Sequence, residues 1–412
     1  MSRIIVRQSP SARVIIVGAG PAGVATALLL ARGGIPVTLI ERETDFHRVF
    51  RGEGLMPTGL DALYQMGLRR GLETLPCRYL ESWEIFLNKR LIMSVPEPST
   101  TTEELALRVI PQPQLLELLI AEARKFSHFT FLPGVSVQDL LHDTAGVRGV
   151  RARTEEGECE MTADLVVGCD GRASLMRQRA QLDLELLPES YDILWLKLPV
   201  PPFLEGRCPI LIYASGPDVA LGYVSWDARL QVAWMLPRGS WPELSKRDWL
   251  AELTRLFPDE LAAHVHDYRA QVEGPVRVAV IVGRCPNWST RGLLLLGDAA
   301  HPMSPVRAQG VNMALRDAIV AANHLVPALR DGRSLETASI AIQREREREI
   351  VRIQTLQLRE VRGQRWARER PWLVNPLLRI APVLAKTGLI QRAWLRQQKE
   401  LRFGVTEVRL QA

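Results

Sequence analysis

The chain has 412 residues, of which 47% are apolar and 24% charged, so it can bury a large core, and two domains plus an appendage are expected at this length. No run approaches the roughly 18 uninterrupted apolar residues of a membrane-spanning helix, and the opening "MSRIIVRQSPSAR" has neither the apolar core nor the cleavage site of a signal peptide. The net charge of +6 is concentrated in residues 341–412, where 16 Lys and Arg face 7 Asp and Glu; there the basic residues alternate with glutamates ("QREREREIVRIQ"), which speaks against nucleic-acid binding.

The first predicted unit is strand, glycine turn, helix and strand. Val14 to Val17 is a short β-branched run of the kind buried in a parallel sheet. Gly18-Ala19-Gly20-Pro21-Ala22-Gly23 follows as G-x-G-x-x-G. Gly18 permits the tight turn, Gly20 admits a pyrophosphate to the backbone, and Gly23 lets the helix pack on the strand. The helix through Leu30 presents its free amides and positive dipole end to that phosphate, and Gly33-Gly34 ends it. Pro36 to Ile40 forms the second strand, and Glu41 at its end, with Arg42 beside it, is placed to accept both hydroxyls of an adenosine ribose. A carboxylate there disfavours a 2′-phosphorylated nucleotide. The unit predicts a bound dinucleotide, FAD before any other.

Further along, "WEIFLNKRLIMSV" reads as a hairpin turning at Asn88-Lys89, and "PQPQLLELLIAEA" as a helix start with Gln112 at its head. "ADLVVGCDGRASLMRQRA" is a buried strand running into Asp170-Gly171, then Ser174 and Arg177. Between Leu187 and Arg284 the pattern changes to short alternating strands with a hairpin at Asp227-Ala228, followed by a short helical excursion over residues 248–264. Tyr213, Tyr223, Trp226 and Trp234 on these strands are candidates to line an apolar, aromatic substrate pocket. "RGLLLLGDAAHPMSPVRAQGVNMALRDA" is another buried strand running into Gly297-Asp298, then Pro305 and a helix beginning near Gly310.

With these three motifs in this order, residues 12 to 320 resemble the class A flavoprotein monooxygenases, the aromatic hydroxylases typified by p-hydroxybenzoate hydroxylase. The resemblance implies an α/β fold: a Rossmann-like FAD-binding domain with a mostly parallel sheet (1–80, 100–186 and 285–338), an inserted antiparallel substrate domain (81–99 and 187–284) and a helical C-terminal region (339–412). It implies FAD, with Asp298 on a ribityl hydroxyl, the amides of Val311 and Asn312 at the N1–C2=O edge of the ring, and Asp170 near the pyrophosphate. Arg51 becomes a candidate flavin or phosphate contact. NADH or NADPH docks transiently, because no second glycine fingerprint is present. The reduced flavin of such enzymes reacts with O2 to give a C4a-hydroperoxide that hydroxylates an apolar aromatic or polycyclic substrate.

Two positions depart from the family pattern. Gln112 stands where an arginine is usual, and Arg307 stands where a glycine is usual, close to where substrate meets the ring; with Pro305 it is the candidate catalytic residue. These departures keep other readings open: a dehydrogenase or saturase acting on an isoprenoid, or a halogenase. The chain has "GYVSWDA" where the halogenase G-W-x-W-x-I-P strand would stand. A non-enzymatic flavoprotein scaffold is disfavoured by the intact anion site at the flavin edge. The basic C-terminal region, with Trp366, Trp372 and Trp394, leaves two readings: helices packed on the FAD domain or a dimer partner, or peripheral membrane contact. Five scattered cysteines fit reduced thiols in a cytoplasmic protein, and His264 and His266 read as surface residues.

Overall fold

A computed structural model describes residues 13–46, 53–97, 105–188, 191–216, 218–370, 372 and 389–411, excepting the side chains of 364–369 and 389–391. Its framework is a six-stranded sheet in the order Ser289–Thr290, Leu293–Leu295, Leu165–Gly168, Val14–Val17, Val37–Ile40, Phe129–Leu132. All neighbours are parallel except the short Ser289–Thr290 edge. The three central strands are buried on both faces, which is why they read as unbroken apolar runs. Helices Pro21–Arg32 and Gln309–Asp331 pack on each other over this sheet. A three-stranded antiparallel sheet, Ser136–Asp143, Gly146–Thr154 and Gly157–Thr162, adds to the same core, an element with no counterpart among the sequence expectations.

A second, seven-stranded sheet has the order Glu273–Ala279, Tyr191–Pro199, Arg229–Pro237, Asp218–Val224, Pro209–Ser215, Ser82–Leu87, Arg90–Pro96. It is not wholly antiparallel, because Pro209–Ser215 runs parallel to Ser82–Leu87. The hairpin turns fall at Asn88-Lys89, both left-handed, and at Asp227-Ala228, where Ala228 is left-handed; tight turns matched to strand twist require this backbone. Helices Trp249–Thr254 and Asp259–Asp267 form the excursion. His264 departs from its expected surface position: it is buried and its Nε2 donates to the Pro199 carbonyl at 2.9 Å.

The C-terminal helices pack on helices of the six-stranded unit. Helix Leu335–Glu369 lies along Gln309–Asp331, and the segment after helix Leu389–Phe403 returns to Pro57–Gln65, where Leu410 N–H donates to Gln65 Oε1 at 2.7 Å. Trp394 packs on Trp83 of the seven-stranded sheet, whereas Trp372 is 71% exposed. None of the described helices is long and apolar enough to cross a membrane. Cys77 is half-buried, and Cys159, Cys169, Cys208 and Cys285 are buried; all five are free thiols.

Candidate active site

The three sequence motifs converge at the carboxyl ends of the three central strands, the crevice where open α/β sheets bind ligands. Gly18 N–H donates to the Ile40 carbonyl at 2.8 Å, Cys169 N–H to Val17 at 2.8 Å, and Leu296 N–H to Gly168 at 3.0 Å, so each turn starts level with the next. A Cβ on Gly18, whose φ is +102°, would lie 2.5 Å from the Cys169 carbonyl oxygen, and one on Gly297 would lie 3.0 Å from Ala22 Cβ. A Cβ on Gly310 would lie 3.9 Å from Asp298 Oδ1.

Within this crevice the parts fit a flavin dinucleotide. A Cβ added to Gly20 meets nothing within 4 Å, leaving a cradle above the start of helix Pro21–Arg32. That helix has no side-chain cap, so its first amides are free for an anion. The Glu41 carboxylate stands at the turn, accepting the Ala19 amide at 2.8 Å and the Glu43 amide at 3.1 Å. Arg42, in contrast, is exposed and pairs with Glu43 at 3.0 Å. Gln112 opens helix Gln112–Ala123, half-buried, behind Pro111. Arg51 lies outside the described residues.

Asp170 caps the helix Leu175–Arg179 beside it, accepting from Ser174 Oγ at 2.5 Å and from Met176 N–H at 3.0 Å. Burial pushes its carboxyl above the usual range, against the pull of these hydrogen bonds. Asp298 takes Arg172 Nε at 3.1 Å, a contact that sequence reasoning did not anticipate. Arg177 is buried and donates to the carbonyls of Ala299 and Arg172, both at 2.9 Å, tying the second motif to the third.

Beneath the third motif lies a buried charge network also absent from the sequence expectations. Asp317 accepts His301 Nε2 at 2.8 Å, the Gly297 amide at 3.2 Å and Arg346 Nε at 2.7 Å; Arg346 also pairs with Glu349, which takes Arg316 Nε at 2.9 Å. Burial alone would raise the Asp317 carboxyl, but His301 and Arg346 hold it below its ordinary value. The network joins the Gly297-Asp298 loop to the C-terminal helix. Its one local signature was the Arg346–Glu349 spacing of three on a helix.

The start of helix Gln309–Asp331 is unusual. Arg307 and Ala308 are both left-handed, at φ 63° and 50°, and non-glycine residues hold that conformation only where their surroundings impose it. Pro305 leads into this bend, its carbonyl accepting the Ala308 amide at 3.0 Å. The Arg307 side chain, 9% exposed, donates from Nε to both oxygens of Glu360 at 3.0 and 3.2 Å, and its guanidinium lies 4.2 Å from the Trp83 ring centroid. It therefore serves the contact between the C-terminal helix and the seven-stranded sheet. The helix begins with the half-buried amides of Val311 and the buried Asn312, whose Oδ1 accepts the Met56 amide at 2.9 Å.

Strand alternation decides which side chains of the seven-stranded sheet face this helix start. Tyr191 Oη bonds Ser304 Oγ at 2.7 Å, and Ile193, Trp195, Leu221, Ala233 and Met235 share its face. Tyr223 shares it too, with Gln231 Nε2 donating to its hydroxyl at 2.8 Å. Tyr213 and Trp234 are the correction. Both pair with Ala220 on the opposite face, where Tyr213 is 1% exposed and meets Phe86 and Phe257. They are core under the helical excursion. Trp226, half-buried, sits in the turn after Ser225.

A family model described as an FAD binding domain matches residues 11–351. The chain is 32% identical over 355 residues to a 6-methylpretetramide 4-monooxygenase from Streptomyces rimosus, covering 84% of this chain and 83% of that protein. It is 29% identical over 356 residues to a phenazine 1,6-dicarboxylic acid hydroxylase from Lysobacter antibioticus, covering 76% and 82%. The structure of p-nitrophenol 4-monooxygenase from Pseudomonas putida DLL-E4 shares the fold, with a TM-score of 0.78 at 18% identity over 95% of this chain and 98% of that one. The chain belongs to the FAD-binding family of class A flavoprotein monooxygenases and is an FAD-dependent monooxygenase.

Proposed function

We propose that this monooxygenase is a single-component enzyme that draws electrons from NADH or NADPH and hydroxylates an apolar polycyclic phenol. The observation that carries this reading is the placement of the Gln309–Asp331 helix start under a sheet face that is apolar in its middle and carries a tyrosine hydroxyl at each end. The similarity to an enzyme named for 6-methylpretetramide supports the substrate class.

In this reading Gly20 and the first amides of helix Pro21–Arg32 hold the pyrophosphate, Glu41 the ribose, and Asp298 the ribityl chain. The amides of Val311 and Asn312 stabilise negative charge at the pyrimidine edge through the helix dipole. Bound FAD supplies the redox and oxygen chemistry. Trp195, Leu221, Ala233 and Met235 exclude water and seat an apolar ring system, and Tyr191 and Tyr223 offer hydroxyls at its ends. Asp170 is spent on its helix cap and acts on the pyrophosphate side only through the turn it holds. Pro305 and the Arg307–Glu360 pair fix the bend that aims the helix.

Anaerobic mixing with NADH or NADPH, with and without a panel of polycyclic phenols, tests the proposal. Flavin bleaching by a nicotinamide that a phenol accelerates is the expected result. Bleaching by dithionite alone would overturn the single-component reading.

A further inference from the structure

Glu53 occupies the seam between the two domains. Its carbonyl accepts the Ile110 amide at 2.9 Å, and the next residue, Gly54, approaches Ala308 so closely that an added Cβ would lie 3.0 Å from the Ala308 side chain. The backbone of Glu53 is thus one residue from the start of the helix assigned above to the flavin edge. Its side chain runs toward the sheet, where Ser225 Oγ donates to Oε2 at 2.8 Å. Trp226 also hydrogen-bonds the carboxyl, and Tyr223 lies near enough to feel its charge.

The charges around it do not neutralise it. Lys197 Nζ is 3.9 Å from Oε1 but 2.8 Å from Asp227, so the lysine is committed to the other acid. Arg108, on the strand paired with Gly54–Leu55, lays its guanidinium on the Tyr79 ring and the Tyr64 hydroxyl. Arg307 is bound to Glu360. A carboxyl buried for stability is met by a close cation, as Glu349 is by Arg316 and Arg346. Glu53, 9% exposed, has instead one hydroxyl, one indole and a shared lysine. Burial pushes its carboxyl up to about 7, where it holds and releases a proton near neutral pH.

We propose that Glu53 is a catalytic base for the hydroxylation, taking the proton from an aromatic hydroxyl of the substrate bound against the inner face of the sheet. The inference rests on the polycyclic-phenol reading above. The phenolic O–H bond breaks, a new O–H bond forms on the Glu53 carboxylate, and the electron pair stays on the phenolate oxygen, which enriches the ring carbon to be oxygenated. No oxidant or reductant enters this step. Ser225 and the Lys197–Asp227 pair are positioning residues.

The test uses alizarin, a polycyclic phenol whose colour reports its ionisation, bound to the FAD-loaded protein and titrated from about pH 5 to 9. The wild type is expected to show two coupled steps, which belong to the Glu53–alizarin pair together. Glu53→Gln should show a single step with the midpoint moved by about tenfold or more in proton concentration. Glu53→Asp, which keeps the acid, should retain two steps, and Ser225→Ala should retain them at a shifted pH. Flavin absorbance and circular dichroism establish that each variant is folded. Equal binding with superimposable titrations in wild type and Glu53→Gln would overturn the role of Glu53 and leave the proposed function standing. If alizarin does not bind and no phenol of the panel accelerates flavin bleaching, the phenol reading fails and the role of Glu53 falls with it.

Discussion

Replacing Gly20 and Gly23 one at a time separates the glycine that serves the cofactor from the glycine that serves the fold. A Cβ on Gly23 would lie 1.9 Å from the Gly18 carbonyl oxygen and 3.2 Å from Cys169 Cβ. The nearer neighbour is backbone, so the helix must retreat from the strand end it is packed on. Overpacking a core site costs about 1–3 kcal/mol, and a backbone clash this deep puts Gly23→Ala at the upper end. At Gly20 the backbone is extended (φ −75°) and no atom lies within 4 Å of the new methyl. Reduced freedom of the unfolded chain stabilises Gly20→Ala by about 0.4–1 kcal/mol, and the poorer helix cap offsets a similar amount. Stripped of FAD, Gly20→Ala should therefore melt with the wild type, while Gly23→Ala melts well below it. With FAD at about a hundred times its Kd the wild type gains about 2.7 kcal/mol, seen as a rise in Tm. Gly20→Ala should lose nearly all of that rise, because its methyl fills the cradle. A Gly20→Ala protein that binds FAD and shifts its Tm like the wild type would remove the pyrophosphate from this turn.

Arg346→Met removes the cation shared by the buried carboxylates of Asp317 and Glu349, leaving them to His301 and Arg316, so denaturant unfolding should show a loss of about 3–5 kcal/mol. The folded-state pKa of Glu53 is raised from 4.5 to about 7, so the folded protein binds the extra proton and its stability falls as pH rises through that window. The loss is about 3 kcal/mol by about pH 8. Thermal melts of Glu53→Gln should therefore match the wild type near pH 4.5 and gain on it at the alkaline end; parallel curves would refute this. Arg307→Ala leaves the half-buried Glu360 to Gln398 without its cation and unstacks Trp83, so limited proteolysis should cut the C-terminal helix faster, and Arg307→Lys should not restore protection because it lacks the planar fork. Tyr213→Ala should cost about 3–5 kcal/mol with phenol binding unchanged in the surviving folded fraction, whereas Tyr191→Phe should alter phenol affinity at little cost in stability.

The crevice at the strand ends was legible because each of its parts is local. A buried parallel strand leaves an apolar run, and the turn after it leaves Gly18-Ala19-Gly20, Asp170-Gly171 or Gly297-Asp298. Their convergence then follows from a single sheet. The sheet over it was legible as strands but not as faces. Alternation places Tyr213 and Trp234 together, yet only the docking of the Phe257 helices decides that their side is the core. Glu53 and Ser225 are 172 residues apart, and the Arg307–Glu360 pair 53, with no spacing rule to connect them. What one strand signals to another across such distances is tertiary packing, not pattern.

The strand order carries a consequence for how the molecule is made. Val14–Val17, at the centre of its sheet, needs Leu165–Gly168 as a neighbour, and that strand needs Leu293–Leu295. At about 5–20 residues per second of synthesis, roughly 15–55 s separate the first of these strands from the last; Val14–Val17 waits on one edge for Leu165–Gly168, and that strand then waits for Leu293–Leu295. Until then a β-branched apolar edge has no native partner, the condition in which strands pair with the wrong chain. All seven strands of the second sheet, from Ser82–Leu87 through Glu273–Ala279, are synthesised during that interval. Its local hairpins close quickly, so a finished sheet stands between two halves of an unfinished one. Expression yield should respond more to translation rate and chaperone supply than the thermodynamic stability of the finished protein would suggest.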